Sequence, residues 1–325
     1  MGSGAKGVSD PTRVLVTGAA GFAGSHLVEQ LAAQGEVTAW SRSDPPKAVA
    51  HLARWTRVDL LDRERVRAEI HGLRPTVVYH CAGAAHVAQS WTDTATPLSG
   101  NVLTTHYVLD AIHRADLPCR VLITGSASVY KSSNSPLAED APLGPASPYA
   151  LSKLAQEQLG LRARTEDGID VIVARAFNHT GPRQGAAFAA AGMARQIAQI
   201  ERGDAPPVIR VGNLDAERDL TDVRDTVRAY ALLMERGVPG MTYNVASGVA
   251  RPIRAVLDAL VARSRVPVAI EPDPALFRPN DTPIVVGNAG RLRAATGWTP
   301  RISFDQMLDD LLDYWRAAVG SSSRS

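Results

Sequence analysis

Tyr149 and Lys153 stand four residues apart in Ser147-Pro148-Tyr149-Ala150-Leu151-Ser152-Lys153. On a helix that spacing puts phenol and ammonium on one face. A positioned phenol can give a proton to an oxygen on which negative charge develops. A nearby ammonium is expected to lower its pKa from about 10 toward neutrality. This is acid/base equipment suited to hydride transfer to a carbonyl. The chain holds 31 arginines but only four lysines (Lys6, Lys47, Lys131 and Lys153), so Lys153 is not drawn from a general lysine background. Upstream, an apolar run ends in Thr124-Gly125-Ser126-Ala127-Ser128-Val129-Tyr130. Ser126 then falls at the carboxyl end of a strand, where open α/β sheets bind ligands.

A second chemical feature lies near the start. The first apolar run leads directly into Gly18-Ala19-Ala20-Gly21-Phe22-Ala23-Gly24. Glycines so placed permit a tight turn and close approach of backbone N–H groups to a pyrophosphate, with a helix N-terminus facing the charge. Enzymes that use NAD carry an acid at the end of the second strand for the ribose 2′-hydroxyl. Here Val37–Trp40 is followed by Ser41 and Arg42, with no acid until Asp44. A guanidinium pairs with a 2′-phosphate, so NADP(H) is the expected cofactor and NAD(H) the alternative.

These residues need a scaffold that aligns strand ends. Candidate strands are Arg13–Thr17, Glu36–Trp40, Thr56–Val58, Thr76–His80, Cys119–Thr124 and Ile169–Ala174, alternating with helical patterns at Ser25–Gln34, Arg63–His71, Asn101–Ala115 and Tyr149–Arg164. That rhythm predicts an α/β fold with a doubly wound parallel sheet, covered by helices on both faces. After Ala174 the rhythm loosens; Val223–Arg236 and Met241–Val245 are expected to return to the sheet. The expected division is a dinucleotide-binding domain over 12–177 plus 218–250 and a smaller substrate lobe over 178–217 plus 251–318, with disordered ends at 1–11 and 319–325.

Composition excludes several classes. A formal net charge of +2 and 21% charged residues, without a basic block, give no nucleic-acid or membrane surface. No apolar run is long enough to span a bilayer. Cys81 and Cys119 form no disulfide framework, and no His/Cys spacing matches a zinc site, so no metal is expected. A cytoplasmic location is the expectation.

The glycine turn, Ser126 and the Tyr149/Lys153 pair together resemble the extended short-chain dehydrogenase/reductase family across essentially the whole chain. That resemblance implies hydrogen bonding of the reacting oxygen by Ser126, acid/base work by Tyr149, and a hold on the nicotinamide ribose by Lys153. It also implies adenine contact by Asp59-Leu60 and a cofactor floor at Cys81-Ala82-Gly83. Asn101 resembles the family's helix asparagine near the active site, and capping is its equal alternative. Three further stretches are Arg175 to Pro182, Val211 to Asp219, and Leu276-Phe277-Arg278-Pro279. These resemble GDP-mannose 4,6-dehydratases and, more closely, GDP-4-keto-6-deoxy-D-mannose reductases. A planar guanidinium pairs bidentately with phosphate. Arg218 and Arg278 are therefore expected on the substrate diphosphate, with Asn178, Asn213, His86 and Ser90 as further substrate contacts and His179 structural. The dehydratases carry an acid just after the active-site serine or threonine, whereas this chain has Ala127 and Ser128, which disfavours elimination. The expected activity is reduction of the 4-keto group of a GDP-sugar. The alternatives are a 4-epimerase, the dehydratase itself, and a non-enzymatic cofactor sensor. A homodimer is expected by the same resemblance.

Overall fold

The computed structural model describes residues 12–85, 87–277 and 282–321. Its centre is a seven-stranded parallel sheet. The strands are β1 (Val14–Thr17), β2 (Val37–Ser41), β3 (Arg54–Arg57), β4 (Val77–His80), β5 (Arg120–Ser126), β6 (Asp170–Ala176) and the strand Thr242–Val245. From one edge they run β3, β2, β1, β4, β5, β6 and Thr242–Val245. The order reverses between β1 and β4, which opens a crevice at the carboxyl ends.

The strands read as continuous apolar runs because both faces are covered. Along β1, Val16 packs into one core layer and Leu15 into the other. One layer is closed by α1 (Phe22–Ala32) and the helix Val223–Arg236, which pack on each other. The other is closed by α2 (Arg63–Leu73) and the helices Thr104–Arg114 and Pro148–Glu166. Strand and helix positions agree with the alternation in the sequence to within a few residues at their ends. One difference matters for the site: the helix expected from Asn101 is preceded by a π-helical stretch, Leu98–Leu103, and Asn101 lies inside it rather than at a cap.

A smaller lobe holds a third core of the helices Ala189–Glu201, Ile253–Val261 and Phe304–Ser321 around Val208–Val211. Beside it a small sheet joins Asn178–Thr180, Glu217–Asp222, Ala250–Pro252 and Ile284–Val285. The strand Glu217–Asp222 belongs to this small sheet, so the return to the main layer begins at Val223 rather than at residue 218. The expectation of disorder is corrected at 319–321, where the last helix continues through Ser321 and the carbonyl of Val319 accepts a hydrogen bond from Arg202 (3.0 Å); residues 1–11 and 322–325 lie outside the described residues. Among the described residues no helix is long and apolar enough to cross a membrane.

Candidate active site

At the end of β1 the chain turns through Gly18, whose φ of +66° lies in the left-handed region. A Cβ there would stand 2.6 Å from the backbone of Ala82, and one on Gly24 would stand 2.2 Å from the Gly18 carbonyl oxygen. Glycine at both positions lets the turn, the start of α1 and the loop after β4 pack backbone against backbone. Gly21 donates to the Gly18 carbonyl (2.9 Å) and is the N-cap residue of α1, with Phe22 and Ala23 opening the helix. Unlike α2, capped by Asp62, and the helix Pro148–Glu166, capped by Ser147, α1 has no side-chain cap and no acid in its first turn. Its first N–H groups and the dipole are thus presented to an anion. The residues fit a dinucleotide pyrophosphate.

Other expected cofactor residues lie along the same edge. Ser41 ends β2, buried, with its hydroxyl donating to the Ser43 carbonyl (2.6 Å). Arg42 is exposed and makes no hydrogen bond or ion pair among the described residues. Asp59 is exposed and accepts from the Leu61 N–H (3.0 Å), while Leu60 is buried. Cys81 and Ala82 follow β4 against Thr17 and Gly18, and Gly83 lies against the Asn101 side chain.

Ser126 closes β5. Its hydroxyl accepts from the Ser128 N–H (3.2 Å), lies 2.8 Å from the Ser128 hydroxyl, and hydrogen-bonds with the Tyr149 phenol. Tyr149 and Lys153 occupy the first turns of the helix Pro148–Glu166, so β5 and this helix bring the three groups to one point. The expected lowering of the phenol is not what the geometry gives. Burial pushes the Tyr149 pKa up, and the bond with Ser126 opposes it without reversing it. The ammonium is engaged elsewhere: Lys153 Nζ donates to the Thr124 carbonyl (2.8 Å) and to Gln156 Oε1 (2.8 Å). Burial pulls the Lys153 pKa down to about 8.

Further residues position the site, and apart from Asn101 they carry no motif. Asn101, fully buried, accepts from the Ala84 N–H (2.9 Å) and donates to the Ser152 hydroxyl (2.8 Å), tying the loop after β4 to the helix of Tyr149. Gln156 Nε2 donates to Thr105 Oγ1 (2.8 Å). Thr105 Oγ1 lies 2.9 Å from His80 Nε2, and His80 Nδ1 lies 2.8 Å from Thr17 Oγ1. A place one turn along from Lys153 was the sequence signal available for Gln156. Thr17 and His80 could have been sought as the terminal residues of β1 and β4.

The expected substrate residues are more scattered. Arg218 lies on the small sheet, its Nη1 donating to the carbonyls of Glu217 (2.8 Å) and Pro283 (3.3 Å). Asn213 Oδ1 accepts from the Asp215 N–H (3.0 Å), and Asn178 is exposed at the start of Asn178–Thr180. Ser90 is buried, with its hydroxyl donating to the Val87 carbonyl (2.7 Å). His179 stacks on Phe22, with ring centroids 5.6 Å apart. His86 and Arg278 lie outside the described residues. Among the described residues no group of three or more His, Cys, Asp or Glu is arranged to hold a metal ion.

Comparison with known proteins places this geometry. The GDP-mannose 4,6 dehydratase family model matches residues 15–311. The chain is 36% identical over 310 residues to the GDP-6-deoxy-D-mannose reductase of Pseudomonas aeruginosa, covering 94% of this chain and 98% of that one. Its structure is similar to that of RMD from Pseudomonas aeruginosa complexed with NADPH, with a TM-score of 0.81 and 33% identity over 95% of this chain and 100% of that one. The UDP-glucose 4-epimerase of Thermus thermophilus in complex with NAD gives a TM-score of 0.81 at 29% identity, covering 94% of this chain and 100% of that one. With a match that runs through nearly all of the sheet and the small lobe, the chain belongs to the GDP-mannose 4,6-dehydratase family, within the extended short-chain dehydrogenase/reductases.

Proposed function

We propose that this chain is an NADPH-dependent reductase of the 4-keto group of a GDP-linked 4-keto-6-deoxyhexose, yielding GDP-rhamnose or a C4 stereoisomer. The observation that carries this reading is the likeness to the GDP-6-deoxy-D-mannose reductase of Pseudomonas aeruginosa over almost the full length of both chains. The NADPH in the similar structure and the exposed Arg42 beside Ser41 support NADPH as cofactor; NAD(H) is the alternative.

The bound cofactor supplies a hydride. As charge develops on the C4 oxygen, the Ser126 hydroxyl donates to it and Tyr149 delivers the phenolic proton. The burial that raises the phenol keeps it protonated at neutral pH, which is the form a reduction needs. Lys153 fixes the ribose side of the site. Arg218, with Arg278, would hold the diphosphate, and binding far from the reacting carbon fixes its distance from the hydride donor. Asn178, Asn213, His86 and Ser90 complete the proposed substrate contacts. This assigns the sheet layer to the dinucleotide and the smaller lobe to the GDP-sugar. Ala127 and Ser128 offer no carboxylate for the proton transfers of an elimination.

The deciding experiment incubates enzyme and NADPH with GDP-mannose alone and, separately, with the 4-keto-6-deoxy product of a dehydratase. NADPH oxidation is expected with the second substrate only. Release of a keto-sugar from GDP-mannose alone overturns the reductase in favour of the dehydratase. A 4-epimerase would instead purify with nicotinamide bound and turn over without added cofactor. We also propose a homodimer formed through the helices near 101–115 and 149–164, supported by the exposed Leu98, Leu103 and Leu151.

A further inference from the structure

Beneath the site runs a buried polar chain whose hydrogens can be placed one by one. Lysine only donates, so the atom of Gln156 facing Lys153 Nζ at 2.8 Å is the amide oxygen. Gln156 Nε2 therefore donates to Thr105 Oγ1 (2.8 Å). The single Thr105 hydroxyl proton goes to the Asn101 carbonyl (2.6 Å), which can only accept. His80 Nε2 must then donate to Thr105 Oγ1 (2.9 Å), leaving His80 Nδ1 to accept from Thr17 Oγ1 (2.8 Å). Two donors converge on Thr105, so the chain cannot pass a proton from one end to the other. What it does is hold Gln156 in one orientation. Thr17, His80, Asn101, Thr105 and Gln156 are all at most 1% exposed, so no solvent competes for these bonds.

We propose that Gln156 is a positioning residue for Lys153: with the Thr124 carbonyl it takes two of the three ammonium N–H groups and leaves the third for the ligand side, while Thr105, His80 and Thr17 lock the amide against rotation. This rests on the reading of Lys153 as the group that holds the ribose side of the site.

The readout is the alkaline limb of the kcat/KM profile, which reports ionisation of the free enzyme. The groups that face Lys153 are Cys81 and His80 from β4 and its loop, and Tyr149 on its own helix. Burial pushes Cys81 up to about 12 and His80 down to about 3, so neither changes charge in the range tested. Burial also raises Tyr149. The amide oxygen favours the charged lysine. Its removal in Gln156→Met should lower kcat/KM roughly ten- to a hundred-fold, the range for one hydrogen bond to a charged group. The same change should move the limb to lower pH. Gln156→Glu places a carboxylate beside the ammonium and should move the limb to higher pH. Thr105→Val should imitate Gln156→Met, and Thr105→Ser should restore the wild-type profile. A merely structural role would lower activity in Gln156→Met and Gln156→Glu without opposite displacements. Limbs that coincide with wild type, or shift the same way in both, overturn the proposal. If Gln156→Met does not fold, as judged by circular dichroism, the Gln156→Glu and Thr105 arms decide it. Tyr149→Phe run alongside separates the two levels: near-normal turnover there sinks the catalytic reading, whereas a large loss there with unshifted Gln156 variants sinks only this one.

Discussion

Tyr149 sits where burial and a single hydroxyl partner set its chemistry. Tyr149→Phe keeps the ring and removes the phenolic proton. Turnover should fall roughly 10²–10⁴-fold, the usual worth of a positioned acid, while NADPH affinity measured by fluorescence titration stays near wild type. Unchanged turnover would remove Tyr149 from the reaction. The depressed Lys153 pKa, about 8, has its own consequence. Its folded value lies below the unfolded lysine value of about 10.4, so between roughly pH 8 and 10 the unfolded chain binds more protons. Stability from this group therefore rises with pH through that window, whereas activity should fall above pH 8 as the ammonium is lost. A kcat/KM that declines above about pH 8 while the melting temperature does not decline would match this opposition of sign. At the end of β2, Arg42→Ala should raise the KM for NADPH several-fold and leave that for NADH little changed, since only the former carries a 2′-phosphate for a guanidinium to meet. Equal effects on both would make Arg42 a solvated loop residue.

The elements position these groups through backbone contact as much as through side chains. Gly24→Ala would drive a Cβ into the Gly18 carbonyl at 2.2 Å, and the rigid turn has no flexible side chain to move aside. The start of α1 must shift, so NADPH binding should be lost by at least tenfold while the sheet still folds; retained affinity would mean that α1 does not present its N-terminus to the cofactor. This turn was legible in the sequence, because glycine spacing between an apolar run and an amphipathic helix is a local pattern. So were the sheet, the place of Ser126 at a strand end and the pairing of Tyr149 with Lys153, which follow from local periodicity, whereas the meeting of Ser126 with that pair was implied by the family resemblance. The chain from Gln156 to Thr17 was not legible. Its bonds join residues 51, 25 and 63 apart, and none of those residue types is unusual where it stands. The phenol's upward shift was hidden for a similar reason. Spacing brings the lysine near, but only the fold shows its ammonium turned to Thr124 and Gln156.

At the scale of the molecule, two features decide how the parts are held together. Asp219, with no exposed surface, accepts from the Ser247 N–H (2.8 Å) and hydroxyl (2.6 Å), the Gly248 N–H (2.9 Å) and the Gly287 N–H (3.1 Å). It thereby gathers the strand of Arg218, the loop after the last sheet strand and the segment after Ile284–Val285 onto one carboxylate. Asp219→Ala would take the acceptor from four donors, of which the Gly287 N–H is buried, and should cost roughly 2–4 kcal/mol in denaturant unfolding, with the KM for the nucleotide sugar rising more than that for NADPH. The second feature is apolar and on the outside. Leu98 (46% exposed), Leu103 (42%) and Leu151 (53%) lie on two helical segments that pack against each other, and Leu151 stands between Tyr149 and Lys153. Full burial of an exposed leucine contributes about 1.5–3 kcal/mol, so covering the remaining half of each side chain contributes about half of that, and a symmetric contact through these helices would gather it twice over. Leu151→Glu places a charge in the middle of such a contact, where it would meet its own copy across the two-fold axis. Sedimentation at micromolar concentration should then find a dimer for the wild type and a monomer for the variant. Because Leu151 shares its helix turn with the proposed acid, the variant should also lose part of its turnover, to an extent that tracks the monomer fraction. A wild-type chain that sediments as a monomer at these concentrations would sink the homodimer and leave the exposed leucines without an account.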